Sequence, residues 1–164
     1  MKLTLNETAE WLIKHDDYLL LTHLRPDGDT LCSAAALAHA LQKAGKRAWL
    51  LDNPGMTERY RTYVGSYVAP AAFAPQHVVT VDTASETLFP ACAAAYAGQV
   101  ELSIDHHGSN TAYAKRVCVL PDKAACGEII LDLLPLLHVP LDPEMAQLLY
   151  VAISTDTGCF ARCV

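Results

Sequence analysis

The sequence lacks any stretch of apolar residues long enough to cross a membrane, and residues 1–7 lack the pattern of a signal peptide. It also lacks a Cys-x-x-Cys pair, since its six cysteines are scattered over positions 32, 92, 118, 126, 159 and 163. Without a secretory signal, such cysteines indicate free or buried thiols in a reducing compartment. We therefore expect a cytoplasmic protein that has no contact with a membrane.

Positive charge is scarce as well: 12 Lys and Arg residues face 18 Asp and Glu residues, which gives a net charge of −6. This balance argues against binding to a nucleic-acid duplex, because the phosphate backbone requires a basic surface. A small phosphate substrate is compatible with the charge, because bound cations would reverse the local sign of an acidic site. The sequence has no Gly-rich phosphate loop and no Ser or Cys nucleophile in a recognisable motif.

The length of 164 residues and the hydrophobic content of 52% predict one well-packed domain. Short apolar runs alternate with helical patterns along the chain. The strands are expected at 18–22, 46–51, 77–81, 100–104 and 116–120, and the helices at 8–15, 29–44, 58–63, 86–97, 124–134 and from Asp142 onward. This alternation predicts an α/β fold with a mostly parallel, Rossmann-like sheet and helices on both of its faces.

Four segments place Asp, or Asp with His, where an element of this sheet or its last helix ends. They are His23 to Asp29, Asp82, the triplet Asp105-His106-His107, and Asp156. Each alone has a structural explanation as a turn, a helix cap or a surface His pair. Ligands of such folds bind beyond the carboxyl ends of the strands, so the four segments together predict one shared site. Carboxylate and imidazole ligands suit a pair of divalent ions, and a metal pair suits phosphate chemistry.

Read in order, these motifs resemble those of a known family. His-x-x-Pro-Asp-Gly-Asp, strand-Asp82-Thr, Asp105-His106-His107 and Thr155-Asp156-Thr157-Gly158-x-Phe160 are similar to the four motifs of the DHH phosphoesterases. The similarity extends over residues 7–160, nearly the whole chain. Within the family, the chain most resembles the oligoribonucleases and 3′-phosphoadenosine-5′-phosphate (PAP) phosphatases that are often called nanoRNases.

The resemblance implies a site for two Mn²⁺ ions, although Mg²⁺ or another divalent ion is also compatible with it. It implies six metal ligands, of which Asp82 would bridge the ions. His23 and Asp27 would bind one ion, and Asp29, His106 and Asp156 would bind the other. Asp105 and His107 would be catalytic. Asp105 would orient its neighbours, and His107 would contact the substrate phosphate or assist the leaving group.

The implied reaction is the hydrolysis of phosphoester bonds in short single-stranded oligonucleotides, in PAP, or in both. A cyclic-dinucleotide phosphodiesterase and an inorganic pyrophosphatase are alternatives within the superfamily. An alternative of another class is a fragment that binds metal without turnover. A homodimer is left open.

Two departures from the family pattern bear on these expectations. Cys32 stands where members of the subgroup often have Gly, and we expect local repacking there without loss of metal binding. Family enzymes also continue into a second domain, with a Gly-rich, His-containing motif that binds the substrate. Nothing in residues 1–164 matches that motif, so we expect the catalytic DHH domain alone, without the DHH-associated domain.

Overall fold

A computed structural model describes residues 1–161. Within these residues, five parallel strands form one sheet in the order β2-β1-β3-β4-β5. The strands are β1 Tyr18–Leu21, β2 Ala48–Leu50, β3 His77–Val81, β4 Leu102–Asp105 and β5 Arg116–Val119. Their nearly continuous apolar character is typical of parallel strands that are covered on both faces. The predicted α/β class with a parallel sheet is confirmed.

The described residues form five α-helices, three of which begin after a residue whose side chain caps them. They are α1 Leu5–Lys14, α2 Gly28–Lys43, α3 Glu58–Val64, α4 Cys126–Leu136 and α5 Pro143–Asp156. Helix α1 starts three residues before its predicted start, because Thr4 and Glu7 form a capping box. Asp142 caps α5 as predicted, with Pro143 in the first turn. Helix α4 includes Pro135 in its last turn and ends one residue later.

The predicted helix over 86–97 is wrong. The structure has two 3-10 helices there, Glu86–Leu88 and Ala91–Tyr96, separated by Phe89 and Pro90. Proline removes a backbone donor and disfavours helical backbone at the residue before it. Phe89 accordingly has an extended ψ of 137°, so the Ala-rich run cannot join the two turns into one α-helix.

The two faces of the sheet are covered differently. Leu20, Val79 and Ile104 point into the larger core, which α1, α2, α4 and α5 complete. Leu19 and Leu21 belong to a smaller core on the other face of the sheet. The 3-10 helix Ala91–Tyr96 and several aromatic residues from loops cover this core. Helix α2 is buried on nearly all sides, and its alanines allow the sheet, α4 and α5 to approach closely.

The strand order places β1 and β3 side by side at the centre of the sheet. From β1 the chain crosses toward β2, and from β3 it crosses toward β4, in the opposite direction. The loops after β1 and β3 therefore diverge and leave a crevice between them, which is where ligands bind in open parallel sheets.

Two further expectations concern the cysteines and membranes. The five cysteines within residues 1–161 are free thiols, and Cys32 is fully buried in α2. Cys163 lies outside the described residues. No helix in the described part of the chain is both long enough and apolar enough to span a bilayer.

The close approach of α2 and α5 at Gly28 can be tested by substitution. A Cβ atom at Gly28 would lie 2.7 Å from Thr155 Cγ2, and such overpacking costs about 1–3 kcal/mol. We expect Gly28→Ala to lower the melting temperature by roughly 3–10 °C, as measured by calorimetry, and Thr155→Ala to restore part of that loss. Gly65→Ala is the matched control, because its Cβ would meet Arg61 Cγ at 3.4 Å. An unchanged melting temperature in Gly28→Ala would contradict this packing.

Candidate metal centre

The eight side chains that the sequence predicts for the site come together at the carboxyl edge of the sheet. His23 follows β1, Asp82 follows β3, Asp105 ends β4 with His106 and His107 behind it, Asp27 and Asp29 begin α2, and Asp156 ends α5. Asp156 was expected just beyond the last helix, but it is the final residue of α5 and Thr157 is the cap. A carboxylate at a helix C-terminus is unfavourable without a cation nearby.

One group of possible ligands consists of His23, Asp27 and Asp82. The Nε2 atom of His23 lies 3.8 Å from Asp27 Oδ1 and 3.7 Å from Asp82 Oδ2, and donor atoms of the three residues lie within 4.8 Å of one another. Two ligands that each lie about 2.0–2.2 Å from one ion can be at most about 4.4 Å apart. The spacing of His23 to its two neighbours therefore fits a single divalent ion.

The second group surrounds the ring of His106. His106 Nδ1 lies 3.2 Å from the Lys123 carbonyl, which can only accept, so Nδ1 carries a proton and Nε2 is the nitrogen whose lone pair the neutral ring would offer to a metal. This lone pair faces three carboxylate oxygens, at 3.4 Å from Asp156, 3.5 Å from Asp82 and 3.9 Å from Asp29. Ionised carboxylates and a lone pair that face one another repel, and a bound cation would satisfy all of them.

Two buried atoms support this fit within the described residues. His106 Nε2 and Asp82 Oδ1 are both shielded from water and have no hydrogen-bond partner. Such atoms are rare in native proteins because each one costs free energy. The side chains present thus fit a divalent cation, and the second group of Asp29, His106 and Asp156 has the spacing for it.

Asp82 lies between the two groups. Its Oδ2 faces His23 and its Oδ1 faces His106, which is the arrangement that a bridging carboxylate requires. Its backbone adopts a left-handed φ of 56°, an uncommon and strained conformation for Asp that is often found at functional sites. Burial, together with the negative charges of Asp29 and Asp27, raises the pKa of Asp82 from 3.8 to about 10.

Asp29 has a second role that its sequence position did not reveal. Its carboxylate accepts hydrogen bonds from Ser33 Oγ at 2.8 Å and from the backbone N–H groups of Cys126 at 2.6 Å and Gly127 at 2.9 Å. It therefore caps the N-terminus of α4 from 97 residues away. Burial still raises its pKa from 3.8 to about 6, because desolvation outweighs these bonds.

Asp105 bonds to His107 and belongs to none of the groups of possible metal ligands among the described residues. Its Oδ1 accepts from the backbone N–H of His107 at 3.1 Å and from His107 Nδ1 at 2.8 Å. Burial would raise the pKa of Asp105, but the bonds from His107 and Asn110 outweigh it and hold the pKa below its usual value. The bond to Asp105 in turn raises the pKa of His107.

His107 can also be grouped with Asp82 and His106 as a possible metal ligand, with its Nδ1 3.4 Å from Asp82 Oδ1. The much shorter contact with Asp105 argues against this role. An Nδ1 that donates its proton to Asp105 offers no lone pair to a metal, and Nε2 is then the nitrogen available to a ligand. The predicted roles of His107 and Asp105 remain predictions.

A pocket of about 340 Å³ opens beside these side chains. Besides His23, Asp27, Asp82, His107 and Asp156, it is lined by Ala84, Leu88 and Ser109, which the sequence analysis did not identify. Nothing in the local sequence distinguishes Ala84 or Leu88, because only the fold brings them to the pocket. Asn53 is another residue that the sequence analysis did not identify, and its Nδ2 donates to the His23 carbonyl at 2.9 Å. Its position just after β2, at the same edge of the sheet, was the available signal.

Replacing Asp82 by Asn should have opposite effects with and without metal. A group whose pKa is raised by folding stabilises the native state below its unfolded pKa and loses that contribution as the pH rises through the folded value. For Asp82 this window runs from 3.8 to about 10. Metal-free Asp82→Asn should therefore melt at a higher temperature than the wild type at pH 8, by roughly 3–10 °C, and this advantage should shrink toward pH 4.

Added Mn²⁺ should reverse that order. The wild type gains stability by binding an ion in its native state, whereas Asp82→Asn lacks the shared ligand and gains much less. Thermal unfolding with and without a chelator measures both effects. A metal-free Asp82→Asn that is less stable than the wild type at pH 8 would contradict the electrostatic account of this site.

Comparison with known proteins gives matches to a family model, to sequences and to solved structures. The model of the DHH family, N-terminal domain, matches residues 18–153. The bifunctional oligoribonuclease and PAP phosphatase NrnA of Thermus thermophilus is 33% identical over 141 residues, which cover 86% of this chain and 43% of the relative. The crystal structure of an exopolyphosphatase-related protein from Bacteroides fragilis has a TM-score of 0.75 at 19% identity, over 96% of this chain and 51% of that one. The last likeness concerns the fold alone.

The chain thus spans about half the length of the relatives it matches. The similarity to NrnA agrees with the predicted subgroup. The matched residues 18–153 contain β1 to β5 and every converging side chain except Asp156. On this evidence the chain belongs to the DHH family and carries its N-terminal domain.

Proposed function

We propose that this domain binds two divalent ions, with Mn²⁺ as the expected metal. We propose further that it hydrolyses phosphoester bonds of short single-stranded oligonucleotides, of PAP, or of both. One observation carries the proposal: the Asp82 carboxylate faces both ligand groups, with Oδ2 toward His23 of one group and Oδ1 toward His106 of the other. His23 and Asp27 would hold one ion, and Asp29, His106 and Asp156 the other. Asp82 would bind both.

The charge of the site indicates the order of binding. Five carboxylates converge here, from Asp27, Asp29, Asp82, Asp105 and Asp156. A phosphate group would be repelled by those carboxylates that stay ionised, and bound cations would reverse the sign of the site. The ions must therefore bind before the substrate, and the substrate's affinity must depend on them.

Two divalent ions bound here would supply an activated water and would neutralise charge on the phosphate and on the leaving oxygen. The chain itself would supply the side chains that bind the ions and one adjacent proton donor. His107 is half-exposed beside the pocket, and its bond to Asp105 favours the protonated ring. A protonated His107 can contact a phosphate oxygen or give a proton to the leaving oxygen.

The size and lining of the pocket support a small substrate. Its volume of about 340 Å³ lies near the lower end of ligand pockets. Ala84 and Leu88 add apolar surface beside the polar groups, which suits the base or sugar of a nucleotide. The net charge of −6 disfavours a duplex. The relative NrnA is both an oligoribonuclease and a PAP phosphatase, and both reactions cleave phosphoester bonds of small nucleotides.

A substrate panel tests this proposal. We expect the chain with Mn²⁺ to hydrolyse dinucleotides, PAP, or both, and to be much slower on cyclic dinucleotides and pyrophosphate. Asp82→Asn should lower the rate by at least about 10³-fold, because both ions lose a ligand. His107→Ala should lower kcat by about 10²-fold with metal affinity retained, as measured by calorimetric titration. Glu10→Gln is the matched control, since it removes one carboxylate charge from the exposed side of α1.

Three results would contradict parts of the proposal. Turnover confined to pyrophosphate or to cyclic dinucleotides would change the substrate class. Metal binding without turnover on any of the four substrates would favour the silent metal-binding fragment. A wild type that binds no divalent ion would remove the basis of the two-metal site.

A further inference from the structure

We propose that Asn110 is a positioning residue for this site, which acts through Asp105 to fix the ring of His107. The proposal rests on the proposed function in one respect, namely that His107 meets the substrate. Sequence patterns gave no reason to single out Asn110, which lies three residues after His107 in the loop that follows β4.

The first step is the contact between Asn110 and Asp105. Asn110 Nδ2 donates to Asp105 Oδ2 at 2.7 Å, while its Oδ1 accepts from the Ala112 N–H at 2.8 Å. These two bonds define the orientation of the amide. A flipped amide would oppose its oxygen to a carboxylate oxygen and its NH₂ to a backbone N–H.

The second step is the geometry of the Asp105 carboxylate. Asp105 is fully buried, and its two oxygens have different partners. Oδ1 holds the backbone and ring of His107, whereas Oδ2 is held by Asn110. The bond to Oδ2 opposes rotation of the carboxylate plane and so favours the position of Oδ1 at 2.8 Å from His107 Nδ1. Without Asn110, a buried charged oxygen would lose its short hydrogen bond, and rotation would be the way to recover one.

The third step concerns the loop that carries these residues. It is fastened to the segment after Asp82: Thr111 N–H donates to the Ala84 carbonyl at 2.9 Å, and Tyr113 OH donates to the Thr83 carbonyl at 2.9 Å. Asn110 also lies 3.4 Å from the Thr83 carbonyl. Tyr113 therefore fastens the same loop without contacting Asp105, which makes Tyr113→Phe a matched control for a purely structural effect.

A double-mutant cycle with His107 is the first test. We expect Asn110→Ala to lower kcat by about 10–100-fold, the usual effect of losing a residue that orients a functional side chain. KM and metal affinity should stay within about twofold. In a His107→Ala background the same substitution should lower kcat by less than about threefold, because residues that act through one another are not additive. Tyr113→Phe should have the same small effect in both backgrounds.

Asn110→Ser covers the case in which Asn110→Ala does not fold. A serine hydroxyl can still accept from the Ala112 N–H but is too short to reach Asp105. We expect it to reproduce the loss of kcat while the loop stays folded. Equal losses in the presence and absence of the His107 side chain would overturn the proposal.

The second test does not need activity. NMR of ring-labelled ¹⁵N-histidine, at one fixed pH and without metal, should show a slowly exchanging Nδ1 proton on His107 in the wild type and in Tyr113→Phe. Asn110→Ala and Asn110→Ser should lose it. A persistent Nδ1 proton in both Asn110 variants would overturn the positioning role even if the enzyme turns over. If the wild type is inactive but its His107 Nδ1 proton still depends on Asn110, the proposed function is contradicted and the positioning role of Asn110 is supported.

Discussion

The carboxylate of Asp82 is buried among other carboxylates, and the arrangement of the whole site depends on it. Removing this group from water while it faces Asp27 and Asp29 raises its pKa to about 10. The fold holds this carboxylate in place, and the backbone of Asp82 adopts a left-handed conformation. The free energy of folding and the affinity for cations are therefore linked, because an ion that binds only the native state relieves the repulsion that folding creates.

The ends of the helices stabilise the carboxylates of the site to different degrees. Asp27 accepts a hydrogen bond from a backbone N–H at the N-terminus of α2, and Asp29 accepts two at the N-terminus of α4. The helix dipole favours a negative charge at both places. Asp156 lies at the C-terminus of α5, where the dipole opposes one. The fold thus compensates two of these acids with its own backbone and leaves Asp82 and Asp156, which face His106, to be compensated by a ligand.

Much of the fold and the site follows from local sequence. Each strand is a short apolar run, and His23, Asp82 and Asp105 lie at or just after the ends of strands, so a parallel sheet brings them to one edge. The prediction of one helix over 86–97 was wrong because the Ala-rich run favours a helix, whereas Pro90 interrupts the helical backbone. The bond from Asp29 to α4 could not be predicted, because it joins residues 97 positions apart and no local pattern records it.

The two ligand groups also differ in when the chain makes them. His23, Asp27 and Asp82 have all been synthesised once the residue after β3 is added, about half-way along the described residues. The other group also needs Asp156, the last residue of α5, which packs against α2. Because a nascent chain emerges N-terminal end first, one half of the site exists as a set of residues well before the other.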